Sequence, residues 1–184
     1  MDHNDASMIA ANGRLSSDCA DALFHSMNTF SLRYKTTIID ILITAKYDKN
    51  TLAAYIIQLI KDTLSTYPDA DKDQLIWFLC NDLLTLRVMK YLQEYIDLLN
   101  NEEIGSARQL MVDLVAKSKK DVNDILLAHI DEYKLTGHVL AALYRRGYSD
   151  VAVLAQKYTN DERGYLRRTA NKIIKKTTPS CDDR

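Results

Sequence analysis

Repeated signals for the start and end of amphipathic helices constrain this chain more than any other feature of its sequence. Short polar residues stand directly before apolar-periodic segments at Ser17, Ser31 and Asn50, and Pro68 follows the third of these segments. Such polar residues cap the unpaired amides at a helix start, and proline ends a helix. Only two prolines and five glycines occur in 184 residues, which leaves little material for hairpin turns. We therefore predict an all-α fold.

Apolar residues recur at helical spacing along most of the chain. Residues 52–64 follow the i, i+3, i+4, i+7 pattern that places one apolar face against neighbouring helices. Further helices are predicted at 71–85, 87–100, 104–117, 122–133, 137–146, 150–158 and 161–176. The total is about ten helices. Because the links between them are short, successive helices must lie side by side, either as stacked hairpins or as an irregular bundle.

Polar residues and one glycine mark further helix ends in the second half. Asp121, Thr136 and Ser149 are predicted to cap three of the later helices. Gly147 suits the left-handed position that closes a helix.

A motif near the end of the chain favours the stacked arrangement. Asp161 stands at a predicted turn, and Leu166, Arg167 and Ala170 follow it as an apolar-Arg-x-x-Ala element. The stretch 136–176 resembles HEAT repeats. The resemblance implies an α-solenoid of antiparallel helical hairpins, in which the Asp161 carboxylate meets the Arg167 guanidinium and the small Ala170 permits close helix approach.

A weaker copy of this motif runs from Tyr91 to Lys117. Asn101 stands there for the aspartate and Arg108 for the arginine, so this copy is predicted to lack the carboxylate partner. Elsewhere the pattern is degenerate, and an irregular helical bundle remains the alternative architecture.

Length and composition predict one soluble domain. We expect a flexible N-terminus over 1–16, a single all-helical domain over 17–176 and a flexible tail over 177–184. The three cysteines are scattered without ligand or disulfide spacing, which favours a reducing, cytoplasmic location. No apolar run is long enough to cross a bilayer.

The sequence contains no constellation typical of an enzyme, so we predict no catalytic residues, no metal and no cofactor. The four histidines lack paired ligand spacing, and the glycines form no phosphate-binding loop. A nucleophile–base pair of Cys80 and His129 is left open, as is an approach of His129 to His138. Trp77 and Phe78 are predicted to pack in the core, since both lie in a strongly apolar helix.

Charge is unevenly distributed along the chain. Residues 1–133 contain 13 Lys/Arg and 20 Asp/Glu, whereas 134–184 contain 11 and 5. Basic residues interleaved with tyrosines are typical of a surface that binds nucleic acid or an acidic protein, although a merely solvated face is the alternative. Arg145, Arg146, Arg163, Arg168 and Lys172 are the cations without an evident structural role. The predicted partner-binding residues are Tyr144, Arg145, Arg163, Tyr165, Arg168 and Lys172.

These features predict a non-enzymatic protein-binding module. A small HEAT-like protein of this kind resembles the immunity proteins with which bacteria neutralise toxin domains by direct binding. An adaptor or scaffold subunit of a larger complex fits equally well. The alternative from another class is a nucleic-acid-binding protein or a HEAT-like DNA-repair glycosylase. Either the basic or the acidic part of the chain could hold the binding surface.

Overall fold

The computed structural model describes residues 15–66 and 72–177, and over these residues the chain is helical with no strand. This confirms the predicted all-α class. The ten α-helices in this part of the chain are α1 Ser17–Ser26, α2 Leu32–Thr44, α3 Lys49–Thr66, α4 Lys72–Leu86, α5 Leu92–Asn100, α6 Arg108–Val115, α7 Asn123–Leu127, α8 Thr136–Arg145, α9 Val151–Gln156 and α10 Gly164–Thr177. Short 3-10 segments occupy Met27–Thr29, Met89–Tyr91 and Glu102–Ala107.

Some predictions fall outside the described residues. Pro68 does so, as do all but the last two residues of the predicted flexible N-terminus and all but the first residue of the predicted tail. Within the described part, no helix is long and apolar enough to span a membrane.

Several helices are shorter than predicted: α5 begins at Leu92 rather than at residue 87, α9 spans only Val151–Gln156, and α10 begins at Gly164 rather than at residue 161. The differences are largest at α6 and α7. Helix α6 begins at Arg108 rather than at residue 104, because Gly105 adopts φ 56° and ψ −130° and interrupts the helical backbone. Helix α7 ends at Leu127, and turns replace the rest of the predicted segment.

The first and third helix caps lie slightly earlier than predicted. The Ser16 hydroxyl accepts a hydrogen bond from the Cys19 amide at 3.2 Å, so Ser16 rather than Ser17 caps α1. The Asp48 carboxylate accepts from the amide three residues later at 2.8 Å, so Asp48 rather than Asn50 caps α3. Polar residues are clustered at both starts, and only the backbone path decides which of them can reach the free amide.

Of the other predicted helix ends, some are confirmed and some are wrong. Ser31 occupies the cap position of α2 without a side-chain hydrogen bond, and Asp121 accepts from the first amide of α7 at 3.0 Å. Thr136 is wrong as a cap, because it is the first residue of α8 and its hydroxyl donates backwards to a carbonyl. Ser149 is also wrong, since the cap position of α9 belongs to the next residue. Gly147 closes α8 with φ 71°, as predicted.

One continuous hydrophobic core joins the helices from α1 to α10. In α3 the predicted apolar face is confirmed, since Leu52, Ile56, Leu59 and Ile60 are buried. In α4, Trp77 packs partly against the core, but Phe78 is 46% exposed and its predicted burial is wrong. Phe78 lies off the stripe of buried positions on α4, so its place in an apolar run was misleading.

Helices α6, α8 and α10 lie side by side and run in the same direction. At their starts, Arg108 of α6 binds Glu132 just before α8, and Gly137 of α8 lies against the Tyr165 ring of α10. At their ends, Arg145 of α8 binds Asp113 of α6. The N-terminal ends of neighbouring helices in this row are therefore adjacent, and so are the C-terminal ends of α6 and α8. Stacked HEAT-like hairpins over the whole chain, and the alternative irregular bundle, both stay predictions.

The predicted pairing within the repeat motif is wrong. The Asp161 carboxylate binds Arg163, with Nε–Oδ1 2.8 Å and Nη2–Oδ2 2.9 Å, and Arg167 instead donates to the Asp161 main-chain carbonyl at 2.9 Å. Arg163 prevails because it follows the same turn and reaches both carboxylate oxygens at once. It lowers the pKa of Asp161 to about 2. Leu166 and Ala170 are fully buried, as the motif implied.

The weaker motif copy does have a carboxylate partner, contrary to prediction. The Arg108 guanidinium binds both oxygens of Glu132, with Nη1–Oε2 2.5 Å and Nη2–Oε1 2.9 Å. Its Nε donates to the Leu99 carbonyl at 2.6 Å. Arg108 is buried, so this ion pair joins α5, α6 and the segment before α8 from the inside.

A buried carboxyl group links α2 to α4. Asp82 is 5% exposed and forms a hydrogen bond with Asp40. Burial, followed by the charge and hydrogen bond of Asp40, raises the pKa of Asp82 to about 8. The folded protein therefore retains a proton that the unfolded chain releases near the ordinary value of 3.8.

The contribution of Asp82 to stability should consequently fall as pH rises from about 4 to about 8, because in this window the folded state holds a proton on this group that the unfolded state has released. Asp82→Asn removes this titration. The free energy of unfolding of the variant, minus that of the parent at the same pH, should therefore increase as pH rises. Urea denaturation across this window measures the difference. Asp124→Asn, a change at an exposed carboxylate, is the control. A parent–Asp82→Asn difference that is constant with pH would contradict the expectation.

Candidate functional site

An open groove of about 470 Å³ lies between α8 and α10, and Asp113 of α6 also contributes to its wall. Because α8 and α10 are parallel neighbours, their facing side chains form its two long walls. The groove is lined by Asp113, Gly137, His138, Ala141, Tyr144, Arg145, Tyr165, Thr169, Lys172, Ile173 and Lys176.

Four of the six predicted partner-binding residues meet in this groove. They are Tyr144, Arg145, Tyr165 and Lys172, which come from two helices about 20 to 30 residues apart in sequence. The other two do not line it. Arg168 lies exposed elsewhere on α10.

Arg163, the sixth, has a structural role. Besides Asp161, it binds the Tyr133 carbonyl through Nη1 at 2.7 Å, and its guanidinium lies 4.4 Å from the centre of the Tyr133 ring. Its charge is therefore already engaged within the fold, because local acceptors surround it.

Arg146 also has a structural role that the sequence did not reveal. Its guanidinium donates to the carbonyls of Ala116, Ser118 and Lys120 at 2.7 to 3.0 Å, and to the Asn123 side chain at 3.0 Å. The last carbonyls of a helix lack partners within it, so Arg146 satisfies those that follow the end of α6.

Gly137 and Tyr165 fix one part of the groove wall. A Cβ atom at Gly137 would lie 2.6 Å from Cε2 of the Tyr165 ring, so the ring rests directly on the α8 backbone. Even so, 44% of Tyr165 is exposed. The close approach holds an accessible aromatic surface in place beside the groove.

Asp113 forms the acidic part of the groove wall. It is paired with Arg145, and its Oδ2 lies 3.7 Å from His138 Nδ1. Burial raises the pKa of Asp113, but the hydrogen bonds and charges of His138 and Arg145 outweigh this effect and leave it below its ordinary value. Asp113 is therefore an ionised carboxylate at neutral pH.

Lys172 and Lys176 supply positive charge on the opposite wall. Both are exposed, and no ion pair of either lysine is found within the described ranges. Helix α10 contains five cations and no acidic residue. The groove thus combines an apolar floor at Ala141 and Ile173 with tyrosines and cations along its edges.

Sequence reasoning missed four of the residues that matter here: Asp113, Gly137, His138 and Lys176. Asp113 had a usable signal, since it is a lone charge within the apolar run of α6. Lys176 lies in the last turn of α10, where cations are favourable in any case, so its charge gives no specific signal of a site. Nothing in the spacing of Gly137 or His138 points to α10.

The residues left open for catalysis are not arranged for it. Cys80 is fully buried, and burial raises the pKa of its thiol to about 12, so it is not a thiolate at neutral pH. His129 is bound to Glu132 and Asn100, at 2.5 and 3.0 Å, rather than to His138. Over residues 15–66 and 72–177, no group of three or more metal-ligating side chains is found.

Comparison with known proteins gives no relative from which a role could be transferred. No family model matches the chain, and no curated protein or solved structure matches it significantly.

The contact between Gly137 and Tyr165 predicts a dependence of one substitution on the other. In a helix, Gly→Ala normally stabilises by up to about 1 kcal/mol. In the parent, Gly137→Ala must displace the Tyr165 ring and so lose most of this gain, whereas in a Tyr165→Ala background the gain should appear in full. Thermal denaturation of the four proteins measures the coupling, expected at about 0.5 kcal/mol or more. Equal effects in both backgrounds would contradict the contact.

Proposed function

We propose that the chain is a non-enzymatic protein-binding module that holds an acidic segment of a partner protein in the groove between α8 and α10. The observation that carries this proposal is that Tyr144, Arg145, Tyr165 and Lys172, four of the six residues predicted from sequence to form one interface, line one open groove. Arginine and tyrosine are frequent anchors at protein interfaces.

The chemistry of the groove specifies its occupant. Lys172 and Lys176 favour carboxylates at the edge, while Ala141 and Ile173 favour an apolar side chain at the floor. A peptide segment in which acidic side chains flank apolar ones would satisfy both. The groove is open along two helices, which suits an extended segment better than an enclosed small molecule.

The partner itself stays a prediction. An immunity protein that neutralises a bacterial toxin domain would use such a surface, and so would an adaptor or scaffold subunit. Nucleic-acid binding is the second candidate, because cations beside exposed tyrosines also suit a phosphate backbone and stacked bases.

Binding of defined probes tests the proposal. The probes are a labelled peptide in which glutamates flank a pair of leucines, the same peptide with glutamine for glutamate, and a labelled single-stranded DNA. We expect the glutamate–leucine peptide to bind at low salt, to weaken as salt screens the lysines, and to bind more tightly than the glutamine version. Binding of DNA alone would favour the second candidate. Failure of all three probes, or equal binding of both peptides, would overturn the proposal.

A further inference from the structure

Asp113 introduces a negative charge into a groove that otherwise attracts negative charge. It is the one carboxylate among the described residues that line the groove, beside Arg145, Lys172 and Lys176. Its side chain is only 25% exposed, and the pairing with Arg145 and His138 keeps it ionised. An acidic partner segment would meet this charge directly.

Arg145, which pairs with Asp113, is the exposed arginine that α8 contributes to the groove. The Arg145 side chain is 54% exposed, yet its Nη2 is bound to Asp113 Oδ1 and its Nε donates to the Ala141 carbonyl at 3.3 Å. A carboxylate from a partner can therefore reach Arg145, but in the free protein the guanidinium edge is already occupied.

We infer that Asp113 acts as an internal competitor: it occupies Arg145 in the free protein, and a carboxylate of the bound partner takes its place. The inference rests on the proposed function of the groove. An intramolecular carboxylate competes at a high effective concentration, so an external acid displaces it only when it also contacts Lys172 and Lys176. Asp113 thereby lowers affinity for isolated anions and selects segments with several acidic groups.

The displaced carboxylate retains a partner, because His138 Nδ1 lies 3.7 Å from Asp113 Oδ2, whereas Arg145 binds the other oxygen, Oδ1. Exchange therefore does not require Asp113 to become an unpaired charge in its partly buried position. The exposed Arg145 side chain can move without disturbing the core.

Affinity for the glutamate–leucine peptide tests the exchange. Asp113→Asn removes the competing charge but keeps the shape, and should tighten binding by roughly five- to tenfold. Asp150→Asn makes the same charge change at an exposed site outside the groove, and should change affinity less than twofold. Arg145→Gln should weaken binding more in the Asp113→Asn background than in the parent, since Arg145 is free only there.

The possible results distinguish a failure of this inference from a failure of the proposed function of the groove. If the parent does not bind the peptide, the groove itself is wrongly assigned. If the parent binds but Asp113→Asn leaves the affinity unchanged or weakens it, Asp113 is a structural or direct binding residue and the exchange is refuted. Equal tightening by Asp150→Asn would also refute it, because the effect would then come from net charge.

Discussion

Arg108→Ala should lower the free energy of unfolding by about 3 kcal/mol. The substitution removes a buried guanidinium that binds Glu132 through two hydrogen bonds and the Leu99 carbonyl through a third. Removal of one partner of a buried ion pair costs roughly 3 to 5 kcal/mol. We expect the lower end of this range, because the Glu132 side chain is 36% exposed and water can solvate part of the freed charge.

Urea or thermal denaturation measures this loss, which corresponds to a melting temperature lower by roughly 6 to 12 °C for a domain of this size. Arg168→Ala is the matched control, because Arg168 is exposed and its loss should cost less than about 0.5 kcal/mol. Arg108→Lys should fall between the two, since lysine keeps the charge but not the paired hydrogen bonds. Similar losses for Arg108→Ala and Arg168→Ala would show that the buried pair does not hold the row of helices together.

Reversal of the groove lysines should abolish most of the binding. The double variant Lys172→Glu/Lys176→Glu turns two attractions for an acidic segment into two repulsions on one wall of the groove. We expect affinity for the glutamate–leucine peptide to fall by roughly thirty- to hundredfold, or about 2 to 3 kcal/mol. Fluorescence anisotropy titration at low salt measures the change.

The same helix offers a matched control. Arg168→Glu/Lys175→Glu makes an equal change in net charge on α10, at exposed residues that do not line the groove. Both double variants place one acidic residue in the last turn of the helix, so they lose similar helix-dipole stabilisation. A larger loss of affinity in the control would show that the peptide binds the other face of α10, where Arg168 lies, and not the groove.

The number and class of the helices could be predicted from sequence because they depend on local periodicity. Ile56 and Ile60 could be assigned to the core from spacing alone, since one helical turn separates them. Local reasoning was weaker at helix ends, as Ser16 and Asp48 show, where a shift of one or two residues changes the cap without changing the helix. It also placed Phe78 in the core, because it followed apolar composition rather than the buried stripe.

The sequence by itself determined the helices, most of their apolar faces, and the tyrosines and basic residues that α8 and α10 contribute to the groove, because these are properties of neighbours along one helix. Only the tertiary structure decided which charges meet. Arg108 finds its carboxylate 24 residues away and Arg145 finds Asp113 32 residues away, and no sequence period links such positions. Their pairing depends on how α6, α8 and α10 are placed side by side, and that placement is set by packing of the shared core.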